Sequence, residues 1–211
     1  MDPSQIVATI AIYALPVLFA ITLHEAAHGY VARHFGDLTA YAQGRISLNP
    51  VRHIDLIGTI AVPLAILLLS GGQFLFGWAK PVPVNYSALR HPKKDMAWVA
   101  AAGPLANLAM TLAWAAALRV APTLPEFFGV PLGLMALAGI RVNLVLMFLN
   151  LLPILPLDGG RIVAGILPGR MAWTYSKLEP WGLPLLILLL MTHVLDAVLG
   201  PLVIASESLL R

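Results

Sequence analysis

The chain has 211 residues, 59% hydrophobic and only 11% charged, and a mean hydropathy of +0.85 excludes a soluble globule, which needs more polar surface. It has no cysteine, so disulfides and thiolate metal ligands are excluded too. A formal charge of +3 is too small and too dispersed for a nucleic-acid partner, which leaves an integral protein of the lipid bilayer.

A first membrane span is expected over residues 6–31, uncharged from 6 to 23. The preceding Met1-Asp2-Pro3-Ser4-Gln5 has no basic stretch, so a cleaved signal peptide is not expected. Arg33, His34 and Asp37 mark the exit into water. Residues 38–50 hold β-favouring side chains around Gly44 and a stop at Pro50, and they read as a short hairpin or strand pair at the membrane surface. Residues 56–79 are uncharged but interrupted by Pro63, Gly71, Gly72 and Gly77. Lys80-Pro81-Val82-Pro83-Val84-Asn85-Tyr86 follows, extended by its prolines, then a basic loop with Arg90, Lys93 and Lys94. Further spans are expected over 96–118, 132–157 and 181–198. No repeat or long linker appears, so residues 1–211 read as a single membrane-embedded domain.

The end of the first span carries Thr22-Leu23-His24-Glu25-Ala26-Ala27-His28. Residues four apart share one face of a helix, so His24 and His28 can bind one metal while Glu25 points toward a water on it. This is the spacing of zinc hydrolases, in which the carboxylate is general base and not ligand. Two buried, hydrogen-bonded histidines are the competing reading.

Catalytic zinc keeps three protein ligands, so a third is needed. Charge distribution selects it. Arg33, Arg45 and Arg52 precede residues 56–79, and Lys80, Arg90, Lys93 and Lys94 follow, so both flanks read as cytoplasmic. Residues 56–79 are therefore expected to enter the membrane and return on the same side. That leaves about four spans, with Arg119, Arg141 and Arg211 at the outer side. Glu126, Glu207 and Asp196 then fall toward the outer side and Glu179 in a loop, while Asp158 shares the histidines' side at an apolar segment end. Its Gly159-Gly160 lets the backbone turn. Asn150 could donate to the oxyanion of a tetrahedral intermediate, with helix packing as the equal alternative. Asn107 reads as helix packing beside Gly103 and Pro104. His34, His53 and His91 read as solvated interfacial groups, His193 and Asp196 as a polar contact near the outer interface. Trp78, Tyr86, Trp98, Trp173, Tyr175 and Trp181 read as interfacial anchors.

Together, His24-Glu25-Ala26-Ala27-His28, Gly103-Pro104-Leu105-Ala106-Asn107 and Asn150…Pro153…Asp158-Gly159 resemble the site-2 protease family of intramembrane zinc metalloproteases. Asn49-Pro50-Val51-Arg52-His53-Ile54-Asp55 and Lys80-Pro81-Val82-Pro83-Val84-Asn85 resemble its compact branch, which lacks PDZ and CBS domains. The resemblance implies that His24, His28 and Asp158 bind one Zn2+ per chain, that Glu25 activates water and that Asn150 assists at the substrate carbonyl. The expected fold is an all-α integral membrane protein of about four transmembrane helices, with a membrane re-entrant segment and short β-strands near the cytoplasmic face. The expected activity is hydrolysis of peptide bonds within or near transmembrane segments of membrane-protein substrates, in a multi-pass protein of the plasma membrane with its active site toward the cytoplasm. A metal-binding transporter or a catalytically silent binding protein is the alternative from another class. Glu25 discriminates, since only a hydrolase needs a base beside the first histidine.

Overall fold

Lipid offers no partner to an unpaired amide, so an apolar run satisfies its backbone by coiling on itself. The computed structural model describes residues 3–62, 65 and 79–210, and no strand occurs among them. The first run is α1 (Pro3–His34), whose 32 residues extend about 48 Å, well beyond a hydrocarbon core of about 30 Å. Next come the short α2 (Thr39–Ala42) and two long helices, α3 (Pro92–Val120) and α4 (Glu126–Asn150). Then follow α5 (Asp158–Ile166), α6 (Gly169–Ser176), α7 (Glu179–Met191) and α8 (Val194–Leu210).

Among the described residues, α1, α3 and α4 are each long and apolar enough to cross a membrane, and α7 and α8 pass only as a pair bent by 77°. The single last span expected over 181–198 is thus two helices. The break is at His193, which follows the Thr192 C-cap and takes φ 57°, the left-handed conformation that commonly ends a helix. Large apolar side chains stand exposed along α1 (Val7, Ile10, Leu18), α4 (Phe127, Phe128) and α7 (Leu188), a surface suited to lipid rather than water.

The hairpin expected over 38–50 is replaced by α2 and an irregular turn. Asp37, buried at the end of α1, explains the start: its Oδ1 accepts the Thr39 N–H at 2.8 Å. Gly44 explains the end. With φ 62° it closes α2, the Gly44 and Arg45 amides donating to Tyr41 and Ala40, so the glycine serves a helix terminus and not a strand turn. Most of the re-entrant segment expected over 56–79, Trp78 included, lies outside the described residues, which hold only its opening π-helical stretch Leu56–Ala61, residues 62 and 65, and Ala79.

Three bonds gather the connections at one end of the bundle. Arg90 N–H donates to the Phe35 carbonyl (3.0 Å), Asn85 N–H to Asp37 Oδ2 (2.7 Å) and Lys80 N–H to the His53 carbonyl (2.8 Å). The end of α1 and the segment leading into α3 therefore meet. Inside the bundle α1 packs against α3 and α4 through small buried residues, Ala20, Ala26 and Ala32. At Gly139 of α4 a Cβ would fall 2.5 Å from the Trp114 ring of α3.

The start of α5 is as tightly seated. A Cβ on Gly159 would overlap the Leu151 carbonyl, and one on Gly160 would lie 2.5 Å from Leu155 N. Both glycines are helical, so they are needed for close approach and not, as expected from sequence, for a backbone turn. Gly159→Ala is expected to lower the thermal unfolding midpoint in detergent, through an overpacking cost of about 1–3 kcal/mol. An unchanged midpoint would contradict this packing. Gly182 brings α7 equally close to the Leu155 carbonyl, and an Arg161 Nη2–Glu179 Oε1 pair at 2.8 Å ties α7 to α5.

Candidate metal centre

His24 and His28 lie one turn apart on the face of α1 turned into the bundle, 7% and 9% exposed, with their Nε2 atoms 3.1 Å apart. The other nitrogen of each ring is engaged. His28 Nδ1 lies 2.7 Å from the Val99 carbonyl oxygen, which can only accept, so Nδ1 carries the proton and Nε2 the lone pair. His24 Nδ1 lies 2.6 Å from Asn107 Oδ1. Both rings thus turn Nε2 inward. Gly103 of α3 gives them room: a Cβ there would fall 2.5 Å from His24 Cε1 and 2.5 Å from His28 Nε2.

Asp158, in the first turn of α5, completes the group. A carboxylate is favoured at that helix end by the backbone dipole. Its Oδ2 is 3.2 Å from His24 Nε2 and 3.4 Å from His28 Nε2, and no hydrogen-bond donor satisfies this buried oxygen. Three lone-pair atoms face one another in a buried space, an arrangement that repels unless a cation lies among them. Their spacing of 3.1–3.4 Å matches the edge of a zinc tetrahedron, about 3.3–3.4 Å for Zn–N bonds of about 2.0–2.1 Å. This is the one His/Asp/Glu group of metal-binding geometry among the described residues.

Glu25 lies beside the group, and its Oε2 accepts the Val82 N–H at 2.7 Å. The segment 80–85 therefore lies against α1 at the candidate base. Gly29 permits the approach, since a Cβ there would meet Ile46 Cγ1 at 2.9 Å and Val82 Cγ1 at 3.2 Å. Asn150 is half-buried at the end of α4 and donates to the Leu146 carbonyl of its own helix (3.0 Å). No hydrogen bond joins it to His24, Glu25, His28 or Asp158.

Several partners escaped sequence reasoning. Asn107, which the sequence suggests for helix packing, holds His24, and its place one turn after Gly103 is the available signal. Asn143 had none. His53, expected in solvent, is 2% exposed, its Nε2 donating to the Ser47 carbonyl at 2.8 Å and its own carbonyl accepting the Lys80 N–H. Tyr86, expected as an interfacial anchor, is half-buried beneath Arg161, whose guanidinium carbon is 5.1 Å from the ring centre. Burial raises its hydroxyl pKa and the positive charge of Arg161 offsets only part of that, so it remains a neutral O–H donor at pH 7. His34 and His91 are exposed as expected, and His193 pairs with Asp196 at 2.8 Å.

A helical membrane protein whose long helices enclose two histidines and a carboxylate, with a glutamate beside the first histidine, is built like a metallohydrolase. Relatives that carry the name "putative zinc metalloprotease" include the following two. YwhC of Bacillus subtilis is 34% identical over 93% of this chain and 88% of its own length. Rip2 of Mycolicibacterium smegmatis is 28% identical over 85% of this chain and 66% of its own. The chain belongs to the site-2 protease family of zinc metalloproteases. No family model and no solved structure matches it. Zinc is its cofactor, and the donor set of imidazole nitrogens and a carboxylate, without thiolate, suits that ion.

Proposed function

We propose that this metalloprotease works within the bilayer, as an endopeptidase that cuts peptide bonds in or beside transmembrane segments of other membrane proteins. His24, His28 and Asp158 hold the zinc. The carrying observation is the buried Asp158 oxygen, without a donor, facing two imidazole nitrogens that present lone pairs. When bound, zinc supplies Lewis acidity that lowers the pKa of its water to near neutral. Glu25 would take a proton from the water that attacks the substrate carbonyl and pass it to the departing amide nitrogen, leaving an amine and a carboxylic acid. Asn150 leaves the Leu146 carbonyl and donates to the substrate carbonyl oxygen.

The active site faces the cytoplasm of a multi-pass plasma-membrane protein, on the side that carries most of the Lys and Arg. The Lys80–His53 bond joins the two flanks of residues 56–79, which supports both flanks lying on one face. The chain is free of cysteine, so a single cysteine at Ser87 reports topology directly. No labelling by an impermeant reagent in intact cells is expected, and labelling would contradict the orientation.

A helical substrate hides its carbonyls, so it unwinds and pairs with the segment 82–85 as an added strand. Pro81 and Pro83 lack N–H groups, Val82 N–H serves Glu25 and Asn85 N–H serves Asp37. Val84 N–H is thus the donor left for substrate. Val84→Pro is expected to raise KM several-fold with zinc content unchanged, and an unchanged KM on every substrate would remove this pairing.

The whole reading is tested in liposomes with a single-span substrate. Cleavage that a zinc chelator stops and added Zn2+ restores, at a bond mapped by mass spectrometry to the span or its border, is expected. Cleavage only of soluble peptides, or none, would contradict it.

A further inference from the structure

We propose that Asn107 and Asn143 are positioning residues, a buried carboxamide relay that sets the tautomer of His24 and thereby its hold on zinc. The inference rests on the metal centre above. The two histidines are anchored differently. His28 is held by the Val99 backbone carbonyl, which cannot reverse its polarity. His24 is held by an amide side chain, which can. Rotated by half a turn, Asn107 would present its NH2 to His24, and the ring would have to turn a lone pair toward it, leaving the proton on Nε2 where the metal binds.

Asn143 prevents that rotation. Its Nδ2 donates to the Gly139 carbonyl at 2.8 Å, a backbone oxygen that can only accept, so its Oδ1 must point the other way. That oxygen accepts from Asn107 Nδ2 at 2.9 Å, which fixes Asn107 Oδ1 toward His24 at 2.6 Å. Asn107 Nδ2 also lies 3.4 Å from the Ala20 carbonyl, a second acceptor favouring the same orientation. Both asparagines are fully buried, so no water competes. Polarity fixed by the backbone of α4 is thus passed through α3 to the ligand on α1. Two asparagines that served only as interhelix glue would stabilise the bundle without regard to which way their amides face.

The test uses the full-length protein in detergent, with zinc affinity measured by chelator competition and the visible spectrum of the Co2+-loaded form as a second readout. Asn143→Leu removes the acceptor that holds Asn107, and a loss of about 10–100-fold in zinc affinity with an altered Co2+ spectrum is expected. Asn143→Asp, its acid kept neutral in this apolar interior, can donate to Gly139 and accept from Asn107, so it is expected to bind zinc within about threefold of wild type. Thr111→Val disturbs the same buried layer, where the hydroxyl bonds the Asn107 carbonyl at 2.9 Å, but leaves the relay intact, and wild-type affinity is expected. Wild-type affinity in Asn143→Leu, or equal weakening in all three variants, would overturn the relay. If Asn143→Leu does not fold, Asn107→Asp carries the test. Its acid can accept from His24 and donate to Asn143, so affinity at or above wild type is expected, and a loss of about tenfold or more would overturn the proposal. A wild type that binds no zinc would overturn the metal centre itself.

Discussion

Glu25→Gln is expected to lower kcat by about a hundredfold to ten-thousandfold while zinc remains bound at the wild-type level. Position and shape survive the change, because the glutamine carbonyl oxygen can still accept the Val82 N–H that now meets Oε2. What disappears is basicity: the second carboxylate oxygen becomes an NH2 group, which cannot take a proton from water. The metal ligands are separate side chains, so zinc content and thermal stability should not move. Single-turnover cleavage of a single-span substrate, with zinc measured on the same preparation, separates the outcomes. Full activity in the variant would remove Glu25 as base, and loss of zinc together with activity would make it a ligand or a structural group.

Gly103→Ala is expected to weaken zinc binding without replacing a ligand. The added Cβ would lie 2.5 Å from His24 Cε1, 2.5 Å from His28 Nε2 and 2.6 Å from His24 Nε2. Neither ring can retreat easily. His28 is tied to Val99 and His24 to Asn107, both on the helix that carries the new methyl group. Relief therefore requires α1 and α3 to separate or the rings to leave their anchors. An overpacking cost of about 1–3 kcal/mol in stability is expected, with zinc affinity lowered by about tenfold or more. Gly169→Ala is the matched control, since nothing lies within 4 Å of a Cβ there, and it should bind zinc normally. Normal zinc binding in Gly103→Ala would contradict the packing of the histidines on α3.

The sequence made some of this legible and concealed the rest for physical reasons. Helical period four and the cost of charge in an apolar run singled out His24, Glu25 and His28. Charge distribution along the loops then brought Asp158, more than a hundred residues away, to the same side. The relay was hidden because an intramembrane asparagine is equally at home as helix glue, and nothing local says which way its amide faces. Gly103, Gly159 and Gly160 could be noticed as small residues, but what each makes room for depends on a neighbour distant in sequence. Residues 38–50 misled because a glycine amid β-favouring residues signals a hairpin and a helix C-terminus alike. Asp37, which selects the helix, acts through its burial. The break in the last apolar run was hidden for a similar reason: His193 interrupts it through its backbone conformation.

The measurement closest to the metal centre is zinc per chain in purified wild type and Asp158→Ala. One zinc per chain is expected in the wild type and far less in the variant, whose two imidazole nitrogens would lose the carboxylate that now lies 3.2 and 3.4 Å from them. Full zinc occupancy in Asp158→Ala, with the fold intact, would contradict the site.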